Sequence, residues 1–286
     1  MDGTSADPRS LLRDLRDHRF RRRFEAAEGI FVAETLPVVE RVLEAGCEPL
    51  EALVVERIAA TRPDLVARLG SVVEVVSRAR LDEIAGFPVH RGVLGAFSRR
   101  GAAPTTPPAV VGILVGIGDA ENLGAIFRSA AALGVDELLL DATCADPWSR
   151  RCVRVSMGTV PLVPWRRGGS GPELVVWAER SGLTTVALTP GPDAPELDAL
   201  PSPVALVLGS EGPGLDPATL AAASLRRRIP MARGVDSLNV GHAAAIAFHL
   251  AVRGDRARAA TGPETGSRGR PDTAPRGGPP RGRSSP

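Results

Sequence analysis

The stretch IPMARGVDSLNVGHAAAIAFHLA, Ile229 to Ala251, runs an apolar–basic strand into a polar loop and the loop into an alanine-rich helix. Ser237, Leu238 and Asn239 stand where that helix begins, so its first backbone N–H groups lie open beside polar side chains. Two earlier runs are built to meet it: NLGAIFRSAAALGV (Asn122 to Val135) and LVLGSEGPGL (Leu206 to Leu215). Each sets glycines and a few polar side chains at a strand–helix junction, where open α/β sheets place their sites.

Working outward, strands and helices alternate on both sides of this junction. AVVGILVGI, from Ala109, is a continuous apolar run of the kind that a parallel sheet buries on both faces. After it come a helix from Leu123, strand DELLLD, a helix around Arg150 to Met157, strand VPLVP and a helix over Glu173 to Arg180. Strands TTVALT and PVALVLG, a short helix Pro217 to Ala223, strand RRIPM and a final helix from Val240 to about Val252 complete the series. This pattern predicts a doubly wound parallel sheet over residues 109–253.

Upstream, strands IFVAET, LEALVVE, VVEVVS and GVLGAFS alternate with helical segments, so residues 11–98 read as a smaller α/β domain. The Pro- and Gly-rich RRGAAPTTPP, residues 99–108, breaks every pattern and reads as a linker. Residues 1–10 are expected to be disordered. So is the Gly-, Pro-, Arg- and Ser-rich tail 254–286, which has too little apolar surface to offset its ordering entropy.

Composition narrows the class. Of 286 residues 43% are hydrophobic, enough for a sizeable core, yet no apolar run nears the roughly 20 residues of a spanning helix. The N-terminal MDGTSADPRS has no apolar signal core, and a cytoplasmic protein is expected. Three cysteines without a CxxC pair read as free core thiols, and four unclustered histidines give no metal-ligand spacing. The net charge is only +2, but all 35 Lys and Arg positions are arginine, the better bidentate partner for phosphate. Arginines cluster at Arg19, Arg21, Arg22 and Arg23 and again from Arg256 to Arg283, a nucleic-acid footprint on a near-neutral body.

In the first motif Asn122 reads as a helix N-cap, with Leu123, Ile126, Phe127 and Ala130 as the buried stripe. Arg128 falls off that stripe among Gly124, Ala125, Ala131 and Ala132, where small neighbours let a ligand or another chain approach. GIGDAENLG is a poor dinucleotide fingerprint, because Glu121 stands where the third glycine of GxGxxG belongs. In the second motif Gly209, Gly212 and Gly214 make a turn around Glu211. Ser210 lacks the GxSxG setting of a hydrolase nucleophile, and Asp236, Ser237 and His242 read as helix-start polar residues rather than a triad.

Together, NLGAIxRxAxxxG, LVLGxEGxGL and IPMxxxxxSLNVxxAAAI resemble the three motifs of the SpoU-type branch of the SPOUT RNA methyltransferases, over about Ala109 to Val252. RRRFEAAEGIFVAET is similar to the ribosomal-protein-like substrate-binding domain often fused ahead of them. The resemblance implies a C-terminal trefoil knot, a rare exception to un-knotted topology, and S-adenosylmethionine as cofactor. By position it assigns the cofactor to Gly209, Ile229 and Leu238, with Leu188 and Thr189 at a strand end. It makes Arg128 the catalytic arginine and gives Asn122, Glu211, Ser237 and Asn239 the task of orienting arginine, ribose and cofactor.

It further implies a homodimer and methyl transfer to a ribose 2′-hydroxyl of RNA, with ribosomal RNA favoured over tRNA by analogy. RNA contacts are expected from Arg21, Arg22 and Arg23; neither metal nor membrane is required. A tRNA substrate and a non-catalytic RNA-binding protein on the same scaffold are the alternatives. The chain departs from the family pattern at Ala120-Glu121 and at Gly241-His242.

Overall fold

The computed structural model describes residues 10–89, 91–104 and 106–261, without the side chains of 259–261. The expectations for residues 1–9 and for the tail past 261 lie outside the described residues.

The first sheet is built from β1 (Ile30–Glu34), β2 (Pro49–Val55), β3 (Val73–Val76) and β4 (Val93–Ser98), in the order β1-β4-β2-β3. β4 is antiparallel to β1 and β2, while β2 and β3 run parallel. Around it lie α1 (His18–Ala27), α2 (Leu36–Glu44), α3 (Glu56–Thr61), α4 (Pro63–Leu69) and α5 (Arg78–Ala85). Helix α3 has no counterpart in the sequence reading; it buries no residue, so its pattern carries no core stripe.

The second sheet has six strands, all parallel, in the order β10-β8-β9-β5-β6-β7. They are β5 (Val110–Val115), β6 (Glu137–Leu140), β7 (Trp165–Arg167), β8 (Thr184–Leu188), β9 (Val204–Gly209) and β10 (Leu225–Arg227). Its helices are α6 (Ala120–Leu133), α7 (Arg150–Val155), α8 (Gly171–Arg180), α9 (Pro217–Ala222) and α10 (Val240–Thr261). The apolar run of β5 divides by parity, as a doubly covered strand must. Val111, Ile113 and Val115 join Val175 and Ala178 of α8, whereas Leu114 joins Phe127 of α6 and Phe248 of α10. A Cβ on Gly112 would lie 3.0 Å from the Phe248 ring, so the missing side chain is what lets α10 settle on the sheet centre.

Three expectations are corrected. VPLVP is no strand: Val160–Leu162 form a 3-10 turn and pairing begins at Trp165, because Pro161 and Pro164 have no N–H for a ladder. The strand expected at RRIPM lies earlier, at Leu225–Arg227, ahead of Pro230. The last helix does not end near Val252 but continues to Thr261, so residues 254–261 leave the expected tail. Its final turns are tied to the body: Ser202 Oγ donates to Asp255 at 2.7 Å, and Arg258 donates to the Leu200 carbonyl at 2.5 Å.

One apolar cluster runs through both sheets. The Phe31 ring lies 4.7 Å from Trp148, and Trp148 6.1 Å from Trp165. Polar ties flank it. Arg154 reaches Glu34 at 3.1 Å, and Arg99 donates its backbone N–H to Gly29 at 2.8 Å and its guanidinium to Asp146 at 3.2 Å. Residues 99–104 and 106–108 carry neither helix nor strand, but their first member is anchored on both sides. Among the described residues no helix is long and apolar enough to cross a membrane.

Candidate functional site

Strand order explains why distant residues meet. β10, β8 and β9 are neighbours in a parallel sheet, so their C-terminal ends, Arg227, Leu188 and Gly209, share one edge. Chain leaving those ends forms the walls of a cleft of about 430 Å³. Leu188, Thr189, Gly209, Ile229 and Leu238 all line it, as do Glu211, Ser237 and Asn239. Pro190, Ser210 and Met231 line it too. The sequence reading did not single these out for the site, although Pro190 follows the strand signal TTVALT, Ser210 follows PVALVLG and Met231 ends the run RRIPM.

Gly209 is held by a close backbone approach. A Cβ there would lie 2.4 Å from the Gly214 carbonyl carbon and 2.5 Å from the Leu215 nitrogen. The chain folds back from Ser210 to Gly214 through Gly212 (φ +89°) and Gly214 (φ +68°), values that favour glycine, and the turn presents Glu211.

Asn239 closes the arrangement. Its Oδ1 accepts from the backbone N–H of Gly241 at 2.9 Å and of His242 at 3.4 Å, capping α10. That fixes its Nδ2 toward the other two motifs, where it donates to Asn122 Oδ1 at 2.7 Å and to Glu211 Oε1 at 2.5 Å. Both amide hydrogens have an acceptor and the carbonyl oxygen has two donors, so the side chain has no freedom left.

Asn122 reaches this position because it is not the N-cap of α6. Asp119 is, accepting from Glu121 N–H at 2.9 Å, and the helix begins at Ala120. An extended aspartate one turn earlier takes the cap, which leaves the Asn122 side chain, 8% exposed, for Asn239.

Arg128 is elsewhere. Six residues beyond Asn122, it lies about 9 Å further along the helix and about 240° around it. It is exposed, makes no hydrogen bond or ion pair among the described residues, and does not line the cleft. Ser237 lines the cleft without a polar partner among the described residues. The expected RNA-facing trio divides. Arg21 is 5% exposed and is held by Glu25 at 2.8 Å and by the Leu11 carbonyl at 2.7 Å, which corrects its reading as a surface RNA contact. Its long side chain packs inward because Glu25, one turn later on α1, is itself buried. Arg22 and Arg23 are exposed.

Cys47, Cys144 and Cys152 are free and buried. Burial pushes all three thiols up, Cys144 to about 12, so none is a nucleophile at neutral pH. No group of three or more His, Cys, Asp or Glu among the described residues is placed to hold a metal ion.

Residues 109–249 match the SpoU rRNA methylase family. An uncharacterized tRNA/rRNA methyltransferase of Mycobacterium bovis is 40% identical over 258 residues, covering 86% of this chain and 89% of its own. The chain belongs to the SpoU rRNA methylase family. This SpoU methylase is also 31% identical over 219 residues to the 23S rRNA (uridine(2479)-2′-O)-methyltransferase of Streptomyces viridochromogenes, covering 72% of this chain and 70% of that protein. It shares its fold with the AdoMet-bound rRNA methyltransferase of Sinorhizobium meliloti, with a TM-score of 0.70 at 26% identity over 85% of this chain and 96% of that one. The protein is therefore an RNA methyltransferase whose three family motifs are joined through one asparagine.

Proposed function

We propose that this SpoU methylase transfers a methyl group from S-adenosylmethionine to a ribose 2′-hydroxyl of RNA, with 23S-type ribosomal RNA as the preferred substrate. The observation that carries the reading is the convergence of Asn122 and Glu211 on Asn239, with Glu211 and Asn239 lining the 430 Å³ cleft. The names of the S. viridochromogenes and S. meliloti relatives support the ribose, the ribosomal substrate and the cofactor. An RNA substrate fits a cytoplasmic protein.

The cleft fits the cofactor's chemistry. Leu188, Ile229 and Leu238 offer apolar wall for an adenine ring, and the side-chain-free Gly209 turn offers backbone groups for ribose and amino-acid ends. When bound, the cofactor supplies an electrophilic methyl group on a sulfonium. The chain's own residues do the rest. Glu211 is the one carboxylate lining the cleft among the described residues, and with Oε1 held by Asn239 its Oε2 remains to accept the proton that the incoming 2′-hydroxyl gives up. Asn122 and Asn239 fix that carboxylate and Ser237 adds a further donor, so the reacting oxygen is oriented before reaction.

A guanidinium stays charged throughout, so Arg128 is no base; it binds the adjacent phosphate and stabilises the developing alkoxide. Because Arg128 stands outside the cleft of its own chain, the reading includes a homodimer in which a second copy brings its arginine to this cleft. It also includes threading of the segment before α10 through the preceding loops as a trefoil knot.

The test is transfer from labelled S-adenosylmethionine to total rRNA and, separately, total tRNA, with methylated riboses mapped by sequencing. A single 2′-O-methyl site in rRNA is expected. A site in tRNA would move the substrate class, and neither transfer nor cofactor binding would overturn the reading.

A further inference from the structure

A second cleft, of about 580 Å³, opens between the two sheets. Its walls come from α1 on one side and from α7 and the loop after β6 on the other. Six arginines line it, Arg21, Arg22, Arg150, Arg151, Arg154 and Arg167, against three carboxylates, Glu25, Glu34 and Asp146. Each carboxylate already has a cation: Arg21 holds Glu25, Arg154 holds Glu34, and Arg99 holds Asp146. Arg22 is exposed with no ion pair among the described residues. Arg151 is 59% exposed, and its one partner among the described residues is Glu121, itself 48% exposed, at 2.6 Å. The cleft therefore keeps an excess of positive charge facing solvent.

A second signal comes from α7. Ser149 Oγ, Arg150 Nη1 and Arg21 Nη2 are buried without a hydrogen-bond partner among the described residues, although Arg21 Nη2 keeps its ion pair with Glu25 at 2.8 Å. The Glu34 oxygen facing Arg150 Nη1 is 3.7 Å away, too far for a hydrogen bond, and the guanidinium lies instead 4.3 Å over the Phe87 ring. Buried polar groups are ordinarily paired, so two adjacent donors without acceptors in a cationic cleft mark a place that wants an oxygen-rich anion. The cleft is also lined by Gly118 and Ala120, the latter two residues before Asn122.

We propose that this interdomain cleft binds the phosphodiester backbone of the RNA, leading the strand past Arg22 and Arg151 to the Asn122 end of the motif network. The proposal rests on the RNA methyltransferase reading above and adds the surface that delivers the substrate. Arginines and a serine hydroxyl match phosphate oxygens, and His18 is the one aromatic side chain lining the cleft among the described residues, so the contact is mainly to the backbone and positions the strand. Of the arginine cluster seen in the sequence, Arg22 serves this surface: Arg21 is closed onto Glu25, and Arg23 does not line the cleft.

The experiment is binding of a fluorescein-labelled structured fragment of 23S rRNA to the full chain, read by anisotropy across a salt series. Arg22→Gln/Arg151→Gln is expected to weaken binding about tenfold or more and to reduce the slope of log Kd against log salt by about 2, one for each phosphate contact removed. Arg180→Gln, at the exposed end of α8 and outside the cleft, is expected to change neither. Affinity for S-adenosylmethionine, measured by calorimetry, is expected to be equal in all three proteins, since none of these arginines lines the Gly209 cleft.

Wild-type affinity and salt slope in the double variant would overturn the cleft and leave the methyltransferase reading standing. So would an unaltered chain that binds cofactor but not the fragment. An unaltered chain that binds no cofactor would strike the methyltransferase reading instead.

Discussion

Asn239 Nδ2 lies 2.7 Å from Asn122 Oδ1, although 117 residues separate the two. The same nitrogen holds Glu211, and the carbonyl oxygen of the same amide caps α10. One side chain thus joins the ends of three segments that come together only through strand order.

Replacing Asn239 by Asp keeps the shape and the capping oxygen but turns the shared donor into an oxygen facing two other oxygens. Asn239→Asp is expected to lose about 1–3 kcal/mol of stability, as the buried Asn122 acceptor loses its partner. Methyl transfer is expected to fall about 100-fold through misplacement of Glu211. Denaturant titration and single-turnover methylation read the two effects. A double-mutant cycle with Asn122→Ala should be non-additive; additive losses would mean that the 2.7 Å contact carries no energy.

Arg128 is exposed and has no polar partner among the described residues, so its loss should not disturb the fold. Arg128→Ala is expected to leave stability within about 0.5 kcal/mol and cofactor affinity near wild type, while turnover falls about 100- to 1,000-fold. Thermal melts, calorimetry and methylation kinetics measure these. A melting shift without a kinetic loss would make the arginine structural.

At Gly209 even one methyl group has no room, with the Gly214 backbone 2.4 Å from where it would sit. Gly209→Ala is expected to push the Ser210 to Gly214 turn away from β9, costing about 1–3 kcal/mol and most of the cofactor affinity. Gly191→Ala, whose Cβ would meet no atom closer than 3.5 Å, is the matched control. Calorimetry with S-adenosylmethionine on both variants decides it.

Asp216 caps α9, accepting from Thr219 Oγ1 at 2.5 Å and from Thr219 N–H at 2.9 Å, and these bonds hold its pKa below 3.8. A carboxyl whose pKa is depressed in the fold stabilises it above the unfolded value and ceases to do so as pH falls through the folded one. Asp216→Ala should therefore cost about 1 kcal/mol at pH 7, the usual worth of such a cap. The difference should shrink once the pH drops below 3.8. Urea denaturation at several pH values tests the sign; a penalty that grows on acidification would contradict it.

What the sequence determined by itself is what repeats locally or is spaced along the chain. The continuous apolar run Val110 to Val115 and the αβ alternation could be read directly, because burial of an element's faces marks consecutive residues, while the three motifs carried the family resemblance. Leu188, Gly209, Ile229 and Leu238 could be named from the family resemblance of the motifs, and all four line one cleft.

Where a residue answers to a partner far along the chain, that reading stopped. Val252 looked like the end of α10, but contacts from Arg258 to Leu200 and from Ser202 to Asp255 carry the helix to Thr261. Arg21 looked like its exposed neighbours until Glu25 and the Leu11 carbonyl enclosed it. Asn122 looked like a cap, and only the strand order that brings Asn239 beside it shows otherwise. Periodicity records which face of an element is buried; which element covers that face, and which polar groups meet there, is decided by the tertiary packing of residues that do not adjoin in the chain.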